Sequence, residues 1–142
     1  MKNEYLYWNC EKLLEAYKTK QLSPVEVVKE TLNNAKKYNK IFNFITEHFE
    51  NKALENARVA EKLFLGKGNN KPRLLEGIPL AVKDEFALLG TYRTSGSKLY
   101  ENRKDDFTDV YVERLLSGGA IPVIKTTTPE FCLLGTTWSD LH

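Results

Sequence analysis

The chain has 142 residues, 42% of them hydrophobic and 28% charged, the balance of one soluble globular domain or a piece of one rather than of a disordered or collagen-like chain. Its two cysteines, Cys10 and Cys132, are too few and too far apart for a disulfide scaffold or a thiolate metal cluster; its two histidines, His48 and His142, nearly exclude a His-based metal site or a Ser-His-Asp triad. The net charge of +2 is uneven, with five excess positive charges over residues 1–75 and three excess negative charges over 76–142. Many cations of the basic half follow a glutamate at helical spacing (Glu15 with Lys18, Glu26 with Lys29, Glu55 with Arg58), the pattern of a solvated helix face, so no nucleic-acid contact is inferred. No apolar run is long enough to cross a bilayer, and Met1 to Trp8 lacks a basic-then-apolar leader. A cytoplasmic location without membrane contact is therefore expected.

Residues 1–67 read as mainly helical. Glu11 to Tyr17 predicts a short amphipathic helix with Leu13, Leu14 and Tyr17 on one side. Ser23-Pro24-Val25-Glu26 then places serine at the N-cap, proline at N1 and glutamate at N3, the signature of a capping box. The helix it opens carries Val25, Val28, Leu32 and Ala35 on one stripe and is expected to end near Tyr38-Asn39. Ile41 to Ile45 alternates only partly, which leaves a short strand or a turn open. Helical periodicity resumes from Ala53 to Leu65, and Gly66 and Gly68 are placed to stop it.

After the polar loop Gly68 to Pro72 the pattern changes. Ile78 to Val82 is a continuous apolar run, expected of a strand covered on both faces, with Pro79 at its start. Asp84 to Lys104 is irregular. Thr108-Asp109 opens a short helix that Gly118-Gly119 ends, and Ala120 to Ile124 is a second apolar strand. Strand, connection with helix, and strand make a βαβ unit with parallel strands and right-handed crossover. Residues 76–142 thus read as the start of an α/β core.

The residue with the clearest chemical promise is Lys83, directly after the first apolar strand. Open α/β sheets place their sites at the C-terminal ends of such strands. Burial there would lower the ammonium pKa toward that of a usable base. Position alone equally allows a strand-end lysine that reaches water and pairs with Asp84 or Glu85. Gly66-Lys67-Gly68 lacks the preceding strand of a phosphate loop and reads as a helix stop. Lys125 leads into Thr126 to Glu130, where Thr128 and Pro129 suggest the N-cap and first position of a helix. Thr94-Ser95-Gly96-Ser97 offers hydroxyls on a flexible turn, and a serine there would need a lysine as its base.

Glu76-Gly-Ile-Pro-Leu-Ala-Val-Lys83-Asp84 resembles the N-terminal motif of the amidase signature family. Thr94-Ser-Gly-Ser97 is similar to the family's Thr-x-Gly-Ser turn. Val110 to Leu116 leads into Gly119-Ala-Ile121 as its helix does. Lys125-Thr126 with Pro129-Glu-Phe131 resembles its Lys-Thr-Asn-x-x-Glu-Phe element, and Leu22-Ser23 with Val25-Glu26 fits its early helix. Ile124 and Thr127 depart from the family's usual Gly and Asn. The resemblance implies a mixed sheet flanked by helices, of which residues 1–142 hold only the N-terminal part. It also implies amide hydrolysis by a Ser–cis-Ser–Lys triad with Lys83 as the catalytic base and no cofactor. The two serines belong to a Gly-Ser-rich stretch that these 142 residues lack; Ser95, Ser97, Ser117 and Ser139 are not in that context. The expectation is an amidase fragment without its nucleophile, acting in the complete protein on a small amide or within an amidotransferase. The alternative is a non-catalytic truncated product or a binding module.

Overall fold

The computed structural model describes residues 4–142. After a 3₁₀ turn at Glu4–Tyr7, helix α1 spans Cys10–Lys18, one residue longer at each end than the periodicity predicts. The Asn9 side chain caps it by accepting the Lys12 N–H, and Leu13, Ala16 and Tyr17 are buried. Helix α2, Pro24–Phe42, opens with the expected capping box: Ser23 Oγ accepts from the Val25 N–H, and the Glu26 carboxylate accepts from the Ser23 N–H. It runs past the expected end at Tyr38-Asn39. Asn39 stays helical and accepts the Ile45 N–H through its side chain, while Asn43 takes the left-handed conformation that ends the helix.

Strand β1 is Ile45–His48, which settles the open segment as the last turn of α2 followed by a strand. Helix α3, Glu50–Phe64, buries Ala53, Ala57 and Ala60 completely, and Leu54 and Leu63 lie at the margins of that face. Strand β2 is Pro79–Lys83, helix α4 is Val110–Ser117 and strand β3 is Ile121–Thr126. Among the described residues the sheet has three strands in the order β1-β3-β2. β1 is antiparallel to β3, and β2 is parallel to it, with Lys83 opposite Thr126.

The core sits on the two faces of β3. Val28, Leu32 and Ala35 of α2 and Ala53 and Ala57 of α3 pack with Ile121, Val123 and Ile124. The small alanine side chains let α3 approach the sheet closely. On the second cluster of the sheet, Val82, Leu88 and Val112 are buried together. β2 corrects the sequence expectation of a strand covered on both faces. It lies at the sheet's edge, where Ala81 is exposed and only Val82 is buried. Among the described residues no helix is long and apolar enough to cross a membrane.

Candidate active site

Lys83 ends β2 at the C-terminal edge of the parallel pair, where the strand pattern puts it. Its backbone is held on the far side too, since the next N–H, that of Asp84, donates to Thr126 O at 2.8 Å. The side chain departs from expectation. It is 42% exposed, and its Nζ donates to Glu85 Oε2 at 2.5 Å. That hydrogen bond raises the Lys83 pKa above its ordinary value against the smaller opposing effect of burial. The predicted depressed lysine is therefore corrected: here Lys83 is an ammonium, because a carboxylate two residues away reaches it and water still does.

Glu85 has a second donor. Cys132 Sγ lies 2.7 Å from the same Oε2, and Thr128 Oγ1 lies 3.0 Å from Cys132 Sγ. The bonds from Cys132 and from Lys83 hold the Glu85 carboxyl below its usual range. Burial and the Glu85 contact push the Cys132 thiol up. Sequence reasoning named Glu85 only as a possible partner of Lys83, and it gave Cys132 no role. No spacing rule joins residues 47 positions apart.

Behind Lys83 lies a buried polar network. Lys125, on β3, is fully buried and forms an ion pair with the equally buried Asp84 at 3.5 Å. Its Nζ also donates to Tyr92 O at 2.6 Å, Phe86 O at 3.3 Å and Thr91 Oγ1 at 3.4 Å. Burial lowers the Lys125 pKa, and Asp84 works against that shift. Asp84 in turn accepts the Thr94 N–H and hydroxyl. The lysine with the depressed pKa is thus Lys125 rather than Lys83. One signal for it was present: Lys125 continues the inward alternation of Ile121 and Val123, directly across from Val82.

The turn at Thr94 to Ser97 is buried rather than loose. Thr94 is 6% and Ser97 1% exposed. Gly96, at φ +67°, lies so close to the chain at 128–130 that an added Cβ would stand 2.5 Å from Thr128 O. Phe131 N–H donates to Ser95 O, and the Arg103 guanidinium donates to Ser95 Oγ. Among the described residues no serine is hydrogen-bonded to Lys83. The expected helix start at Thr128-Pro129 is also corrected. Glu130–Cys132 is a single 3₁₀ turn in which Phe131 and Cys132 have φ of +50° and +59°, and Thr128 turns its hydroxyl to Cys132 instead of capping. A cavity of about 310 Å³ lies at the other end of β3, bordered by Arg73, Glu76, Leu88, Ile121 and Pro122, away from Lys83.

A family model described as Amidase matches residues 26–141. Over 122 residues the chain is 34% identical to a glutamyl-tRNA(Gln) amidotransferase subunit of Moraxella catarrhalis, covering 85% of this chain and 24% of that protein. The corresponding mitochondrial protein of Pediculus humanus subsp. corporis is 51% identical over 73 residues, covering 50% of this chain and 15% of its own. Among solved structures, fatty acid amide hydrolase superimposes with a TM-score of 0.88 at 18% identity, covering 99% of this chain and 25% of that one. A bacterial aryl acylamidase gives 0.81 at 22% identity, covering 92% and 27%. The chain spans at most about a quarter of the length of the first curated relatives it matches.

Proposed function

The chain belongs to the amidase family, and from that premise we propose that Lys83 is the base of an amide-hydrolysing site whose serines lie outside these 142 residues. The supporting observation is positional: Lys83 ends a parallel strand, its backbone is pinned on both sides by β3, and its amine faces outward. A Ser–cis-Ser–Lys mechanism needs that amine neutral when it takes a proton from the bridging serine. Glu85 holds it charged, so the contact between Lys83 and Glu85 must open, or be desolvated by a covering segment, before the base can work. The buried Asp84–Lys125 pair fixes the strand end and leaves Lys83 to move only in its side chain. Ile124 and Thr127, where the family usually has Gly and Asn, are accommodated by the fold. Ile124 joins the core, and the Thr127 N–H bonds to Phe44 O.

The identities above 30% are with amidotransferase subunits, which favours the carboxamide of glutamine as the amide and further amidotransferase subunits as partners. In the complete enzyme, Lys83→Ala is expected to lower kcat by about 10²–10⁴-fold or more, since removal of a general base costs at least that. Ammonia release from glutamine, measured beside cleavage of an aryl amide, reads both the reaction and its substrate. Near-normal kcat in the variant would reduce Lys83 to a strand-end lysine. The non-catalytic binding reading would then stand.

A further inference from the structure

Lys83, Glu85, Thr128 and Cys132 converge from two chain segments on one carboxylate oxygen and one sulfur. The pair of oxygen contacts is asymmetric in role. Lys83 brings a permanent positive charge to Glu85 Oε2, whereas Cys132 brings a transferable proton. Because the thiol hydrogen points to Glu85, the Thr128 hydroxyl is left to donate to the sulfur, where it favours the charge that appears when the thiol proton leaves. Cys132 is also partly exposed, so an incoming molecule can reach the sulfur.

We propose that Glu85 and Cys132 form a base–nucleophile pair that accepts an acyl group from an activated carboxylic ester, with Lys83 facing the oxyanion. This activity is independent of the serine-based reaction and uses only residues of this chain. As Sγ bonds to the carbonyl carbon, its proton passes to Glu85 Oε2 and the carbonyl π pair moves to oxygen, beside the Lys83 ammonium. Collapse re-forms the C=O and expels the alkoxide or aryloxide, which takes the proton back from Glu85. The acyl group stays on Cys132 as a thioester, and no oxidant or reductant is needed. The depressed carboxyl of Glu85 keeps it ionised and ready at neutral pH, and the raised thiol of Cys132 makes a base necessary.

The test uses the whole chain with 4-nitrophenyl acetate at pH 7, reading acetylation of each cysteine by peptide mass mapping. Cys10, exposed and remote at the start of α1, is the internal control. Cys132 is expected to acetylate at least about tenfold faster than Cys10, and Glu85→Gln to slow Cys132 by about 10²-fold while Cys10 is unchanged. Glu85→Asp, which keeps the carboxylate but shortens it, is expected to fall between. Circular dichroism of each variant shows whether it is folded. The opposite sign overturns the proposal: if Glu85 is only a neighbouring negative charge, Glu85→Gln makes the thiol more acidic and Cys132 reacts faster. Equal labelling of the two cysteines overturns it as well. None of these readouts depends on amide hydrolysis.

Discussion

Glu85 decides the state of two groups at once, and its own ionisation carries a pH dependence. Its folded pKa is below the ordinary carboxylate value, so its contribution to stability is present above about pH 4.3 and is lost as pH falls through the folded value. Lys83 has the opposite sign. Its folded pKa is raised, so its contribution is complete below about pH 10.4 and is lost as pH climbs through the folded value. The difference in Tm between the parent chain and Glu85→Gln is therefore expected to be largest at neutral pH and to shrink below about pH 4. A difference that stayed constant down to pH 2 would mean that the Glu85 contacts do not form in solution. Lys125 calls for a different measurement. Replacing it by Met leaves the Asp84 carboxylate buried without its cation, which costs about 3–5 kcal/mol in a urea melt. Adding Asp84→Asn to that variant removes the orphaned charge and is expected to return part of the loss. A variant Lys125→Met as stable as the parent would show that the pair is hydrated and not buried.

Elements behave according to how local their determinants are. The start of α2 is set within four residues by Ser23, Pro24 and Glu26, and Ser23 Oγ adds a contact to Glu61 of α3. Ser23→Ala is expected to cost about 0.5–2 kcal/mol, read as a shifted urea midpoint with unchanged slope. The end of α2 was less legible because Asn39, a residue that often stops helices, instead serves as a side-chain acceptor for the strand that follows. The turn at residues 94–97 depends on a segment some thirty residues later. Gly96→Ala would meet Thr128 O and would force an L side chain to positive φ, a conformation that alone costs about 1–2 kcal/mol. It is expected to loosen the 128–132 segment, so that Cys132 labels faster with a thiol reagent while Cys10 does not change.

At the scale of the molecule, the core on β3 is only partly matched by cover elsewhere. β2 has no strand on its outer edge among the described residues. Large apolar side chains stand in water around the site end and α4: Leu89 is 63%, Val110 59%, Leu133 79% and Trp138 71% exposed. Burying such a side chain fully is worth about 1.5–3 kcal/mol, against a whole-domain stability of about 5–15 kcal/mol. The chain by itself is thus expected to be marginally stable and to self-associate through the open edge and these apolar residues. Thermal melting by circular dichroism beside size-exclusion chromatography tests this. A sharp, cooperative melt from a clean monomer would favour an autonomous binding module.

The sequence by itself determined what depends on near neighbours. The capping box of α2, the glycine stops after α3 and α4, the order β2-α4-β3 and the position of Lys83 at a strand's end are all written within a few residues of where they act. Motif order then pointed to the family. Only the tertiary structure decided that Lys83 is charged, that Lys125 is the buried lysine, that β2 is an edge strand and that Thr128 to Cys132 is a turn at the site. Capping and helix stops are satisfied by hydrogen bonds spanning a few residues, so composition and spacing suffice to read them. Protonation depends on how much water remains and on which charges arrive from elsewhere in the chain. For Lys83 those were a carboxylate two residues on and a thiol brought from the far side of β3.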